Sequence, residues 1–390
     1  MKWPQAMQEL SAMVARALVK GWCPGAWRPM PSGDGLLVRV RPNHAALDRE
    51  QVLALCEAAE TYGNGIIQLT NRANLQLRGV ADNDWAPLMD ALLEARLVDT
   101  DPALEGRRNM LLAPDWQAGD DTDQLAQQLR ERLAELPELP PKMGFAIDAG
   151  NAPVLAEDSA DFRVERTTGG QLLVRADGRA MGTAVGSGPQ AIDLMIDLAH
   201  WFVGSGGANS GRMRQHREPL PDWAPATAVP AAGRSILPLG QHLMGAVYGL
   251  TFGQVDAAAL RAVVATATVT GIRVTPWRRL LVEGGKIRRV PGLLADSNAP
   301  QLDTDACPGA PYCEQASVAT RDLAGKLSGR VAGRLHVSGC TKGCARRQAA
   351  DVCVVGEGGR YQLVFRGRAD GTPDVADLTE SQVLTYFGVN

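Results

Sequence analysis

The chain has 390 residues, enough for two or three domains, and its 45% apolar content suffices for well-packed cores without disulfide staples. With 40 basic and 43 acidic residues the formal charge is -3, which offers no basic face of the kind that nucleic-acid binding requires. No run reaches the ~18 apolar residues of a membrane span, and five of the seven cysteines crowd between residues 307 and 353, unlike a secreted disulfide framework, so a reducing cytoplasmic setting without nucleic-acid or membrane partners is expected.

In chain order, residues 1–20 alternate polar and apolar side chains and read as an amphipathic helical extension, not a signal peptide. Residues 21–86 form the first organised unit: a strand in LLVRV from Leu36, a helix from Asp48 to Tyr62, a turn at Gly63, Asn64 and Gly65, and two strands in IIQLTNRANLQLRG flanking Thr70 to Asn74. Residues 87–230 hold Pro-rich and Gly-rich stretches and end in a Pro/Ala linker from Pro219 to Gly233. Within them, Gly182 to Gly188 and Val203 to Gly211 read as turns, because they follow no clear strand and lack a dinucleotide fingerprint. Residues 231–290 echo the first unit: Asp256 to Gly271 matches Asp48 to Gly63 in length and helical spacing, and Thr275, Leu280 and Gly284 stand as Thr70, Leu75 and Gly79 do. Residues 291–390 begin turn-rich and lead into the cysteines.

Five residues separate Cys307 from Cys313, and three separate Cys340 from Cys344. If helical, the second pair lies one turn apart and faces one point. Pro308, Gly309 and Pro311 force a loop in the first pair, letting Cys307 fold back toward Cys313 at the start of the next helix. Helix N-termini with Lys342, Arg346 and Arg347 would stabilise such concentrated thiolate charge. An iron–sulfur cluster suits these spacings better than structural zinc, which typically uses tighter two-residue gaps, and unliganded buried thiols are the third reading. Cys353, in VCVVG, reads as a core strand residue; Cys23 and Cys56 read as thiols without a role.

With this pair of spacings and the repeated unit, the chain resembles the sulfite and nitrite reductase superfamily. The resemblance implies an α+β fold of duplicated ferredoxin-like half-repeats with two mixed α/β sulfite-reductase-like domains in a pseudo-two-fold arrangement. It also implies a 4Fe-4S cluster on Cys307, Cys313, Cys340 and Cys344. LTNRANLQ resembles a ligand-binding Thr-x-Arg segment and nominates Arg72, GRRNM nominates Arg108, and PPKMG retains Lys142 where the reductases carry the first of two lysines. Gly144 stands in place of the second, a departure from sirohaem binders. A closer resemblance, carried by WCPGAWRPMPSGDGLLVRVRP, GNGIIQLTNRANLQLRGV, SGCTKGCARRQAADVCVVG and YQLVFRGRADGTP, is to the precorrin-3B synthases. It implies a monooxygenase of aerobic cobalamin biosynthesis that hydroxylates precorrin-3A at C20 with O2 and closes a γ-lactone.

Such a substrate carries carboxylates around its ring, which calls for convergent Arg and Lys side chains. Arg39, Arg41, Arg78, Arg278, Arg279 and Lys342 join Arg72, Arg108 and Lys142 as candidates. Oxygen chemistry needs an open metal position, so the resemblance implies a separate mononuclear non-haem iron, whose ligands the five dispersed histidines do not reveal. Without a nicotinamide or flavin motif, electrons are expected from an external reductase or ferredoxin. Two alternatives stand: a sirohaem-dependent sulfite or nitrite reductase, and a non-catalytic module whose metal only holds its last domain together.

Overall fold

The computed structural model describes residues 23–389; the helix expected over residues 1–20 lies outside the described residues. The first repeat forms β1 (Met30–Ser32), β2 (Gly35–Val40), β3 (Ala46–Asp48), helix α1 (Arg49–Tyr62), β4 (Ile66–Leu69) and β5 (Leu75–Val80), followed by α2 (Trp85–Glu94). Asp48 fixes the start of α1: its carboxylate accepts the Gln51 N–H at 2.8 Å while Gln51 Oε1 accepts the Asp48 N–H, so two helix-end donors are satisfied reciprocally. Next come α3 (Pro102–Arg107), β6 (Met110–Leu112), α4 (Asp121–Glu131), β7 (Phe145–Ile147), β8 (Phe162–Arg166), β9 (Leu172–Ala176), β10 (Thr183–Val185) and α5 (Gly188–Gly204). The second repeat supplies β11 (Gly240–His242), β12 (Gly245–Leu250), β13 (Gln254–Asp256), α6 (Ala257–Val264), β14 (Gly271–Val274) and β15 (Arg279–Glu283). The last part contains β16 (Leu293–Leu294), β17 (Thr304–Ala306), α7 (Arg321–Leu327), β18 (Leu335–Ser338), β19 (Ala350–Glu357), β20 (Arg360–Gly367), β21 (Val375–Leu378) and α8 (Glu380–Tyr386).

The two repeats exchange a strand. The first sheet runs β1-β2-β5-β4-β13 and the second β11-β12-β15-β14-β3, so each repeat completes the other's sheet. Val255 pairs with Ile67 in one and Leu47 with Ile272 in the other. Helices α1 and α6 cover the apolar faces, and Val38, Leu55, Ile67, Leu77, Leu260 and Ile272 join one buried core. Full burial of each such side chain contributes about 1.5–3 kcal/mol, which holds the exchanged strands in register. The second helix is shorter than its spacing suggests: α6 ends at Val264 and Gly271 already belongs to β14. Thr266, Thr268, Val269 and Thr270 follow, β-branched residues that favour extended chain, and Asp256 makes no capping bond.

The two remaining sheets share one topology. β6, β7 and β8 run parallel with β9 and β10 antiparallel; β17, β18 and β19 run parallel with β20 and β21 antiparallel. The duplicated, pseudo-two-fold α+β architecture is thus present in both layers. The glycine segments differ from expectation. Gly182 to Gly188 is not a turn but contains β10 and leads into α5, whose cap Ser187 accepts the Gln190 N–H. The apolar stripe of Ile192, Met195, Ala199 and Phe202, buried in a second core, makes α5 helical from Gly188. Val203 to Gly211 closes that helix and includes a short helical turn at Gly207–Ser210. Among the described residues, no helix is long and apolar enough to cross a membrane.

Candidate active site

Cys307 directly follows β17 and Cys340 follows β18, and because these strands are parallel neighbours both cysteine loops leave the same end of the sheet. Three bonds tie the loops together: Cys307 N–H to Val337 O at 3.4 Å, Ser317 N–H to Gly339 O at 2.9 Å, and Gly339 N–H to Cys307 Sγ at 3.2 Å. Two local expectations are corrected. Cys313 lies in a turn well before α7, its N–H bonded to Gly309 O at 2.9 Å. Cys340 to Cys344 is a non-helical turn, in which Gly343 takes a positive φ of 60° that a helix does not contain. The thiols nevertheless share one neighbourhood. Burial raises the Cys344 thiol above its ordinary range, Lys342 opposes, and Cys307, Cys340 and Cys313 each push it further up. Among the described residues no group of three His, Cys, Asp or Glu side chains is placed to hold a metal ion. Cys353 is fully buried in β19, donating to Gly367 O at 3.2 Å, and Cys56 is buried in α1.

The first sheet meets these loops through one polar face. Arg39 pairs with Gln76, Gln76 with Gln68, and Gln68 with Gln254, so the four side chains form a row across β2, β5, β4 and β13. Arg78 bonds Asp34 at 3.0 and 2.7 Å and donates to Tyr312 O at 2.7 Å, an acceptor it shares with Ser32 Oγ. Gly33 makes that approach possible, since a Cβ there would lie 1.9 Å from Pro311 O. With the Gln68 amide oriented toward it, Arg321 donates to the Gln68 oxygen at 2.8 and 3.2 Å; burial depresses Arg321 to about 10, Arg78 adds to the effect, and Cys307 opposes it.

The nominated cations have different fates. Thr70 Oγ1 accepts the N–H groups of Arg72 and Asn74, both at 3.2 Å, closing the turn that presents Arg72. The Arg72 guanidinium makes no hydrogen bond or ion pair among the described residues. Burial lowers its pKa, Cys23 opposes, and Arg212 and Arg41 crowd it with like charge. Arg39, bonded to Gln76 at 2.6 Å, is held down to about 10 chiefly by burial. Arg108 is already engaged: Glu105, only 2% exposed, takes Arg108 at 2.8 Å and Arg41 at 3.1 Å, and Arg108 also donates to the Arg41 carbonyl. Lys142 is exposed between Pro141 and Met143, which line a cavity of about 600 Å³ together with Cys23, Arg41 and Arg107. Gly144 admits no side chain, because a Cβ would lie 2.6 Å from Asn109 Nδ2 and 2.8 Å from Asn109 O. Arg278 pairs with Asp305 at 2.8 Å, and Arg279 donates to Leu237 O. Arg212 was not nominated by any motif; it is held by Asp161 at 2.8 Å and Ser159 at 3.0 Å beside Arg72. Cys23, read as a thiol without a role, borders the same cavity.

Residues 28–95 match the nitrite/sulfite reductase ferredoxin-like half domain. A precorrin-3B synthase from Sinorhizobium sp is 32% identical over 91% of this chain and 84% of its own length. The chain belongs to the precorrin-3B synthase family. It is also 30% identical to a ferredoxin–nitrite reductase of Synechococcus elongatus, but over only 33% of this chain and 27% of that protein. The NirA protein of Mycobacterium tuberculosis shares the fold, with a TM-score of 0.57 and 16% identity over 90% of this chain and 79% of that one. These relatives make the family one of oxidoreductases.

Within this precorrin-3B synthase family chain, the four thiols have donor chemistry that fits an iron–sulfur cluster: they are soft donors on tied loops, with a backbone N–H aimed at one sulfur. The residues do not reveal the mononuclear iron expected alongside it. His44 faces Asp123 at 3.2 Å, His200 meets Glu135 O, His216 meets Ser205, His242 accepts from Met244, and His336 lies beside Cys353, so no two of them share a polar partner among these contacts.

Proposed function

We propose that this chain acts as a precorrin-3B synthase, taking precorrin-3A as substrate and inserting one atom of O2 at C20, with an acetate side chain closing the γ-lactone. The other oxygen atom leaves as water, with two electrons and two protons drawn from an external ferredoxin or reductase in a reducing cytoplasm. Cys307, Cys313, Cys340 and Cys344 would hold a 4Fe-4S cluster, which supplies single electrons when bound. The observation that carries the reading is the Arg78–Tyr312 contact, which sets the polar face of the first sheet against the tied cysteine loops, while the turn between β4 and β5 of that sheet presents the uncommitted Arg72.

Arg72 then takes a substrate carboxylate, where a charge-assisted bond is stronger than a neutral one. Arg212 and Lys142 stand at the margin of that site, and Arg108 acts indirectly by fixing Glu105 and Arg41. Sirohaem reduction is less well supported, because Asn109 blocks the position of the second lysine. The test is incubation of anaerobically purified protein with precorrin-3A, a reductant and isotope-labelled dioxygen. One labelled atom in a lactone product is expected; reduction of sulfite or nitrite without a hydroxylated product would reject the reading.

A further inference from the structure

The cavity of about 600 Å³ beside Cys23 is lined mostly by apolar residues, among them Ala26, Leu136, Leu139, Pro140, Met143 and Phe145. Three of its charged residues are already engaged within the fold: Arg41 with Glu105 at 3.1 Å, and Arg107 with the carbonyls of Leu133 and Ala134 at 3.0 and 3.1 Å. What the cavity chiefly offers is apolar wall, and an open apolar surface of this size marks a place where another element docks. Cys23, the first described residue, is itself part of the lining, and 22 residues precede it in the chain.

Those residues carry a strongly one-sided pattern. At about 100° per residue, a helix would gather Trp3, Met7, Leu10, Val14, Ala17 and Leu18 within an arc of about 100°, with Gln5, Gln8, Glu9, Arg16 and Lys20 on the opposite face. Pro4 suits the first position of such a helix and Gly21 the position just past its end, and Arg16 and Lys20 fall near the end where cations offset the helix dipole. A lone helix of this length is marginal in water and draws its stability from packing its apolar face. It needs a surface, and the cavity at its own point of attachment supplies one.

We propose that residues 4–20 form a helix that turns back at Gly21 and Trp22 and lays its apolar face in this cavity, making the chain's own N-terminal segment the occupant. Gly21 gives the backbone the freedom to reverse, and the helix would be about 25 Å long. Docking of this kind requires neither cluster nor substrate. It also shields one flank of the turn that presents Arg72, because Cys23 and Arg41 line the cavity and both lie close enough to act on the Arg72 charge.

Trypsin cleavage of the full-length protein after Arg16 and Lys20, followed by mass spectrometry, tests the arrangement, with thermal unfolding to show that each variant is folded. Leu10→Glu with Val14→Glu puts charge into the stripe, and Leu139→Glu puts charge into the cavity wall. Each is expected to speed both cuts about tenfold or more over wild type, since cleavage follows the population of the undocked segment, and combining them is expected to add little. The stripe variant changes none of the described residues, so it keeps the test open if Leu139→Glu does not fold. Cuts as fast in wild type as in the stripe variant would overturn the docking, and slow cuts in wild type that a folded Leu139→Glu leaves unchanged would overturn the choice of cavity. Protection that disappears on dilution would assign the cavity to the segment of a second copy and overturn the arrangement within one chain.

Discussion

The two halves of this molecule have the same framework and opposite chemistry. In the first repeat, Thr70 closes a turn that presents Arg72; in the second, Thr275 closes the same turn, with its N–H on Arg279 O and its Oγ1 accepting the Trp277 N–H, and Trp277 occupies the place of Arg72. Trp277 packs into the core and donates to Asp158 at 3.0 Å. The pairing registers also superpose Cys307 on Ala113 and Cys340 on Gly150: Ala306 pairs with Val337 as Leu112 pairs with Ile147, and Ala113 N–H bonds Ile147 O as Cys307 N–H bonds Val337 O. Arg78 of the first sheet holds the loop after β17, while Arg273 of the second holds the loop after β6 through Trp116 O. Duplication therefore builds two equivalent interfaces. One keeps thiols and an uncommitted guanidinium, and the other is closed by an indole and lacks thiols, which teaches that framework and chemistry are separable.

The largest effect is expected from the thiols. Cys340→Ser should reduce iron and acid-labile sulfide to background in anaerobically purified protein, whereas Gly150→Cys with Ala113→Cys should gain none, since the first half has no counterpart for the other two cysteines. Iron retained at wild-type level in Cys340→Ser would break the comparison. Next is Arg72→Trp, which makes the first turn resemble the second. Losing a bond to a charged partner is worth about 1.5–3 kcal/mol, so affinity for uroporphyrin, an octacarboxylate ring, should fall about 10- to 100-fold. The reverse change, Trp277→Arg, should lower stability by about 3 kcal/mol without adding affinity, because it empties a packed position.

Gly144→Lys sharpens the contrast with sirohaem binders. Contact with Asn109 should cost about 1–3 kcal/mol in chemical denaturation, and the variant should purify without a chlorin-like absorption band from a sirohaem-making host. The smallest effect concerns Asp158, whose carboxyl is raised to about 6 mainly by burial, against which the Trp277 indole and Arg163 act. A folded pKa above the unfolded one favours the protonated form, so this group's stability contribution is present below about pH 4 and is lost as pH rises through 6. Asp158→Asn, which keeps an acceptor for the indole, should be about 1–2 kcal/mol more stable than wild type at pH 7 and equal to it near pH 4. Thermal unfolding across that range gives the answer, and a constant difference would show that the carboxyl does not titrate there.

Much of this was readable from residue order because it depends on local spacing. The alternation around Thr70 to Asn74 gives two strands and a turn, and its echo at Thr275 to Arg279 gives the second copy. The exchange of β3 and β13 was not readable, since three-residue strands carry too little pattern to choose a partner and tertiary packing chooses it. The cysteine spacings pointed to converging thiols, but not to the turn around Gly343, because one positive φ cancels a helical reading. Arg108 was legible as a motif residue, yet its engagement depends on Glu105 and Arg41 meeting across the fold. Arg212 had no signal at all: its place beside Arg72 is set by Asp161, 51 residues away in sequence.

On the proposed reading, the polar sheet face and the cysteine loops form one site. Electron paramagnetic resonance of the anaerobically reduced protein, recorded before and after saturation with uroporphyrin, tests it most directly. A cluster signal that changes in shape or relaxation on ring binding is the expected result. Ring binding that leaves the signal untouched would place the two elements in separate sites and contradict the account.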